Sequence, residues 1–345
     1  MKVSRQQNAV SRTTERMSTH VLVFLFLLAT VLLPIVSLQA QQPTKVPRVA
    51  YLTAAPLSAV AHRTEAFRQG LRELGYVEGK TILIDWRSAD GKIDRLPTVA
   101  AELVHLKVDI IVSAGGAVTR PLQEATSTIP IVMAQDGDPV GNGFVASLAR
   151  PRGNITGLSN LSSDLVGKRL ELLKEIVPKL SLVTVFGTSN NPDNAQEVRD
   201  IEKTASAFAV KVQYIDILSP KDIEIAFRSA AKARANAVMM NVSGPIDLVN
   251  QKEIAELAVK YRLPVIYTLR EYVEAGGLMN YGTSITDLDR RAATYVDKIL
   301  KGAKPAELPV EQPKKFELMI NLKAAKQIGL TIPQSVLYRA DKVIK

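Results

Sequence analysis

From Pro47 onward the chain alternates short apolar runs with amphipathic stretches, and this rhythm limits its fold more than any other feature. Arg48-Val-Ala-Tyr-Leu52 reads as a buried strand. The spacing of Ala66, Phe67, Leu71 and Leu74 then predicts a helix over 62–74 with one buried face, stopped by Gly75. Further strands are predicted over 81–86, 109–113 and 129–133, with helices over 93–106 and 118–126. The second half repeats the pattern. It has strands over 182–186, 210–215, 237–241 and 264–267, and helices over 165–177, 194–208, 222–233 and 246–261. Strands alternating with helices of this length build βαβ units and parallel sheets with helices on both faces. The two runs separate near Asn154–Asn160 (NITGLSN), a polar, turn-rich segment suited to an inter-domain crossing.

Length agrees with two such units: 345 residues at about 150 per domain give two compact bodies. The N-terminus belongs to neither. Lys2, Arg5, Arg12 and Arg16, offset by Glu15, precede an almost wholly apolar stretch from Val21 to Val36 and then Ser37-Leu38-Gln39-Ala40. A basic end, an apolar stretch and a small residue at the cut describe a secretory signal peptide, with cleavage expected after Ala40 and an uncleaved membrane anchor as the alternative. These sixteen residues, interrupted by Pro34, fall short of the roughly 20 that a membrane span needs. Residues 1–40 carry four basic and one acidic side chain, so the net charge of +10 falls to +7 without them. What remains is scattered, with no run of five or six Lys or Arg, which speaks against nucleic acid as a partner. The absence of cysteine excludes disulfides, thiolate metal sites, iron–sulfur clusters, Cys nucleophiles and Cys-linked lipid anchors.

Ligands on open parallel sheets sit outside the carboxyl ends of the strands, where the strand order reverses. The loops after strands are therefore the candidates. The first is Ser113-Ala114-Gly115-Gly116-Ala117, where a buried strand opens into small residues just before a helix. Backbone N–H groups there can approach an anion such as a carboxylate, or the segment is an ordinary tight turn. After the next strand, Asp136 or Asp138 could pair with a ligand ammonium or cap a helix starting near Phe144. Gly141, Gly143 and Ala146 formally fit a dinucleotide fingerprint, but eight residues past Met133 they lack its strand-end context. Loops containing Asn190, Ser243 and Tyr281 are rich in polar groups or offer an aromatic wall. For catalysis there is no G-x-S-x-G elbow, P-loop or H-E-x-x-H motif. His62 and His105 fall inside predicted helices, and Glu171 and Glu175 fit a solvated helix face, so neither a metal site nor a cofactor is indicated.

Several segments together resemble a known family. They are Arg48-Val-Ala-Tyr-Leu52, the stretch from Phe67 to Gly79 (FRQGLRELGYVEG), Asp138-Pro-Val-Gly141 and the run from Leu148 to Gly157 (LARPRGNITG). Arg270 to Met279 (REYVEAGGLM) and Leu308 to Asn321 (LPVEQPKKFELMIN) complete the set. In this order they resemble the ABC-transporter substrate-binding proteins of the tryptophan/tyrosine-import type, over essentially all of residues 47–345. The resemblance implies an α/β fold of two doubly wound parallel-sheet lobes, the type I periplasmic-binding-protein or Venus-flytrap arrangement, joined by three crossing segments. Lobe 1 would be 47–160 plus 284–310, and lobe 2 would be 161–283 plus 311–345. It also implies a non-enzymatic, monomeric periplasmic protein without cofactor or metal. Such a protein captures a small-molecule ligand, an amino acid or related compound, and delivers it to an ABC permease in the inner membrane.

By position, Ser113, Ala114, Gly115, Gly116 and Ala117 would hold a carboxylate, with Asp138, Asn190, Ser243 and Tyr281 as further contacts. The chain departs from its relatives in having Gly115-Gly116-Ala117 where many show a Thr-Pro-Ala-like turn. It also has no Tyr in Thr188-Ser-Asn-Asn-Pro192, which weakens the expectation of an aromatic shelf there. Two alternatives of other classes are an extracytoplasmic sensor of the same fold, signalling to a membrane receptor, and an exported enzyme using Asp136 and Asp138 as acid and base.

Overall fold

The apolar runs of the first half pair side by side into one parallel sheet. Its strands are β1 (Arg48–Thr53), β2 (Leu83–Ser88), β3 (Ile110–Ser113), β4 (Ile131–Asp136) and β5 (Ile155–Ser159), in the order β2-β1-β3-β4-β5. Val49 of β1 lies opposite Ile84 on one side and Ile110 on the other. The second half forms β6 (Leu182–Gly187), β7 (Lys211–Asp216), β8 (Ala237–Met240), β9 (Val265–Tyr267), β10 (Met279–Thr283), β11 (Phe316–Asn321) and β12 (Lys342–Ile344). Their order is β7-β6-β8-β9-β10-β11-β12, parallel except between β10 and β11. Both sheets thus share one plan. Their order reverses between the first and third strands of each half, at β1/β3 and at β6/β8. The computed structural model of the protein describes residues 45–345 apart from 162, 192, 242 and 243. The expected signal segment lies outside the described residues, as does Ser243. Among the described residues, no helix is long and apolar enough to cross a membrane.

Helices cover both faces of each sheet, as the alternation requires. In the first lobe Phe67 and Leu71, from the helix Ala61–Glu73, are buried with Val49, Tyr51, Ile110 and Val112. The helix Ile285–Leu300 comes from beyond β10 yet places Ile285, Leu288, Ala292 and Val296 in this same core. It lies so close to the helix Ala61–Glu73 that a Cβ on Gly70 would stand 2.2 Å from the Arg290 carbonyl oxygen. In the second lobe Leu170 and Leu173 of the helix Val166–Ile176 meet Val183, Val185 and Met239 on one face. Ile223, Phe227 and Ile254 meet Phe186, Val238 and Val265 on the other. The chain passes between the lobes after β5, after β10 and before β11. At these passages the Thr283 hydroxyl donates to the Asn160 carbonyl at 2.6 Å, and the Glu311 N–H donates to the Gly157 carbonyl at 3.0 Å.

Three elements differ from the sequence reading. Residues 155–159, read as part of a polar crossing, form the fully buried strand β5. Gly157 makes this possible, because at φ +135° its α-carbon meets the Met133 backbone where a Cβ would lie 2.1 Å from the carbonyl oxygen. No helix begins near Phe144. The N–H groups of Phe144 and Val145 both donate to the Pro139 carbonyl in a turn, and the Phe144 ring enters the core. The helix expected over 246–261 is two helices, Pro245–Val249 and Gln251–Lys260, interrupted at Asn250.

The helix pair at Gly70 generates a stability test. Gly70→Ala should destabilise the protein by about 1–3 kcal/mol through overpacking against the Arg290 carbonyl. That loss should exceed the roughly 1 kcal/mol that Ala gains over Gly inside a helix. Urea unfolding of the variant would measure the balance, and a midpoint raised by the full helix gain would mean that the two helices separate freely.

Candidate functional site

The two reversals of strand order bring four loops to one place. Thr53–Ala55 after β1 and Ala114–Ala117 after β3 line a cavity of about 140 Å³ from the first lobe. Asn191 and Asp193 after β6 and Asn241 and Gly244 after β8 line it from the second. Val60, Leu248, Leu269 and Ile285 add apolar wall.

On the first-lobe side Gly115 takes φ +103° at the start of the helix Gly116–Ala125, a conformation open to glycine. The Val118 and Thr119 N–H groups bond back to the Gly115 carbonyl, whereas among the described residues no hydrogen bond engages those of Gly116 and Ala117. Unengaged N–H groups at a helix start favour an anion. Ser113 does not face this space. It is fully buried and its hydroxyl pairs with Thr119 at 2.7 Å. The Thr119 hydroxyl also lies 3.0 Å from the buried Asp136 carboxylate, as its donor. Burial, reinforced by the charge of Asp193, pushes the Asp136 carboxyl well above the usual range.

The second lobe contributes buried charges. Arg169, 3% exposed, donates from Nε to the Tyr281 carbonyl at 2.8 Å. Burial lowers its pKa to about 10, opposed by the charge of Glu197, so it stays cationic at neutral pH. Glu197 is itself buried and accepts from the Asn241 amide at 2.6 Å. Asp193 reaches across to the first lobe, where the Asn142 amide donates to it and Gly137 passes close to its carboxyl. Burial pushes the Asp193 carboxyl up, against that hydrogen bond.

A second group of charges stands where the helix Ala61–Glu73 meets the cavity. Arg63, 5% exposed, lines the cavity and donates to Glu271 of the second lobe at 3.3 Å. His62 Nε2 lies 2.9 Å from the same Glu271 oxygen. Behind Arg63, the Tyr51 hydroxyl donates to the buried Asp289 at 2.8 Å. Burial raises Asp289 to about 7, although the Arg63 charge and the Tyr51 bond pull the other way.

Of the residues singled out in the sequence, Ala114, Gly115, Gly116 and Ala117 meet at the cavity, and Ser113 supports their turn from behind. Asp138 lines a separate pocket with Asp164 and Asp200, its carboxylate accepting from the Gly141 N–H at 2.8 Å. Asn190 is exposed beside the lining residue Asn191. Tyr281 lends Arg169 its carbonyl, while its ring stacks on Phe316 at 6.4 Å. Sequence reasoning missed Arg63, Arg169, Glu197 and Asp193. The first three carried a usable signal, because each interrupts the apolar stripe of an amphipathic helix: Arg63 before Phe67, Arg169 between Val166 and Leu173, and Glu197 before Ile201.

Asp289 supplies a pH test. Its ordinary value is 3.8 and its folded value about 7, so between these the native chain holds a proton that the unfolded chain has released. Its contribution to stability is complete below the lower value and is lost as pH rises through the upper one, at up to about 1.4 kcal/mol per pH unit. Asp289→Asn keeps an acceptor for Tyr51 but cannot titrate. The stability of the wild type relative to this variant should therefore fall between pH 4 and pH 7, read by denaturant unfolding. A constant difference would contradict the raised value.

Residues 55–344 match the family described as ABC transporter substrate binding protein. A tyrosine-binding protein of Clostridioides difficile is 24% identical over 266 residues, covering 77% of this chain and 76% of that protein. The fold matches the crystal structure of a conserved domain protein from Vibrio cholerae with a TM-score of 0.82 and 29% identity, over 87% of this chain and all of that one. It also matches an ABC domain from Streptococcus pneumonia in complex with L-Trp, with a TM-score of 0.80 and 24% identity over 86% and 99% of the two chains. The structural matches share the fold described above, and the chain belongs to the ABC transporter substrate-binding protein family.

Proposed function

We propose that this protein is the periplasmic solute-capturing component of an ABC importer, and that it closes on an amino acid and delivers it to an inner-membrane permease. The observation that carries the reading is that groups suited to both ends of an amino acid line one cavity, with the Asp193 carboxylate beside Gly116. Unengaged N–H groups of Gly116 and Ala117 suit a carboxylate, and Asp193 of the second lobe suits an ammonium. The two lining arginines, Arg63 and Arg169, stand beside Glu271 and Glu197 respectively, so they balance acids and leave little net charge for a ligand to neutralise. A zwitterion with an uncharged side chain fits that balance. Ala54, Ala55, Val60 and Leu269 supply the apolar wall for such a side chain. The tyrosine-binding relative and the L-Trp complex support an aromatic amino acid as the ligand.

The ligand would favour the closed arrangement by touching both lobes at once, which shifts the equilibrium between open and closed forms. The chain would act as a monomer after removal of residues 1–40. It would bind and release without turnover. Asp136 is buried behind the Gly115–Gly116 turn and Asp138 lines a different pocket, which weighs against their serving as an acid–base pair.

Thermal unfolding of residues 41–345 with single amino acids tests the reading. At 100 times its dissociation constant a ligand adds about 2.7 kcal/mol, a shift of several degrees. Tryptophan, tyrosine or phenylalanine should raise the midpoint, whereas glutamate, lysine and the deaminated acid indole-3-acetate should not. Asp193→Asn should weaken the response at least tenfold in dissociation constant. A response to charged amino acids alone, or equal responses with and without the ammonium group, would overturn the zwitterion reading.

A further inference from the structure

We propose that Glu271 is a positioning residue that locks the lobes over the ligand by gripping the cavity-lining Arg63 and its neighbour His62 from the opposite lobe. The inference rests on the closing mechanism given above. Arg63 and His62 stand at the start of the helix Ala61–Glu73, whose Phe67 and Leu71 are fixed in the first-lobe core. Glu271 stands on the short helix Arg270–Glu274, whose Tyr272 and Val273 are fixed in the second-lobe core. The bonds of 2.9 Å from His62 and 3.3 Å from Arg63 to one Glu271 oxygen therefore exist only while the lobes are together.

Their surroundings favour a strong contact. The Arg63 and Glu271 side chains are 6% and 12% exposed, so water screens their attraction little, while the more exposed His62 closes the rim. Burial alone would raise the Glu271 carboxyl, yet His62 and Arg63 together hold it down to about 2. From behind, Asp289 faces Arg63 and is bonded to Tyr51, another lining residue. Glu271 would thus act through Arg63, pressing a cationic wall residue into place at the moment the cavity loses contact with solvent.

A latch of this kind slows opening and leaves encounter with the ligand unchanged. Stopped-flow binding of L-tryptophan or L-tyrosine to wild type, Glu271→Ala, Glu271→Asp and Glu271→Gln separates the two rates. Glu271→Ala should raise the dissociation rate about tenfold with the association rate within twofold. Glu271→Gln should fall between wild type and Glu271→Ala, because it keeps a hydrogen-bonding group without the charge. In the background of His62→Ala with Arg63→Met, Glu271→Ala should have almost no further effect on dissociation. The unfolding midpoint should fall less for the ligand-free variant than for the ligand-bound one, since without ligand only the closed fraction of the protein makes the contact. An unchanged dissociation rate, or a stability loss equal with and without ligand, would overturn the latch.

If neither amino acid binds, the ligand assignment fails first, and small-angle X-ray scattering of the ligand-free proteins then decides the latch. Glu271→Ala should show a larger radius of gyration than wild type, and equal radii would overturn the proposal.

Discussion

A parallel sheet whose strand order reverses must send its connections to opposite faces, and the loops on either side of the reversal part to leave a crevice. Every feature of the cavity depends on that constraint being met twice. The loops after β1 and β3 flank the first reversal, and those after β6 and β8 flank the second. The chain's passages between lobes, tied by Thr283 to Asn160 and by Glu311 to β5, turn the two crevices toward each other. The small residues Ala54, Ala55 and Ala114–Ala117 keep the first-lobe wall close to bare backbone, so the polar groups it offers to the cavity are mainly N–H groups. The second lobe answers with side chains: Asp193, Glu197, Asn241 and Arg169.

Such a division is demanding, because charge removed from water must find compensation nearby. The chain meets this demand locally. Arg169 remains cationic with Glu197 beside it, and Glu197 in turn holds the Asn241 amide. Arg63 has Glu271 in front and Asp289 behind. Asp136 and Asp289, with no cation bonded to them among the described residues, keep their protons more tightly than surface carboxyls do. Fixed, paired charges of this kind need little reorganisation when a polar ligand enters, and exclusion of water on closure strengthens each of them.

The alternation of apolar runs and amphipathic stretches made most strands and helices legible, since burial on both faces leaves continuous apolar strands and one-sided helices. β5 was not legible. Thr156, Gly157 and Ser159 look like turn residues, and only the approach of the Met133 backbone explains why Gly157 sits in a strand. The Ala114–Ala117 loop could be picked out because strand-end loops are where the fold places ligands. Asp138 and Asn190 occupy loops of the same type yet face other surroundings, since the orientation of a single side chain within a loop depends on partners distant in sequence. The helical charges went unnoticed for the opposite reason. Arg63, Arg169, Glu197 and Asp289 all sit in apolar stripes, where periodicity alone treats a charged residue as noise.

That shared placement has a physical consequence. A charge on the buried stripe of a helix cannot escape to solvent by changing rotamer, so it must be satisfied by whatever the packing brings opposite. For Arg169 and Glu197 the opposing group comes from the same lobe, so the pair needs no contact across the cleft. For Arg63 one acid, Asp289, comes from its own lobe and the other, Glu271, from the facing lobe. Asp193 repeats the second case at the other loops of the cavity, taking its Asn142 donor from across the cleft. The contacts that cross the cleft at these two places therefore pair acids of the second lobe with donors of the first. Water solvates the same polar groups when the lobes part, so even a well-shielded pair adds only a modest net attraction. A closure that is weak by itself leaves the decision to the ligand, which is what the proposed capture and release of a solute would require.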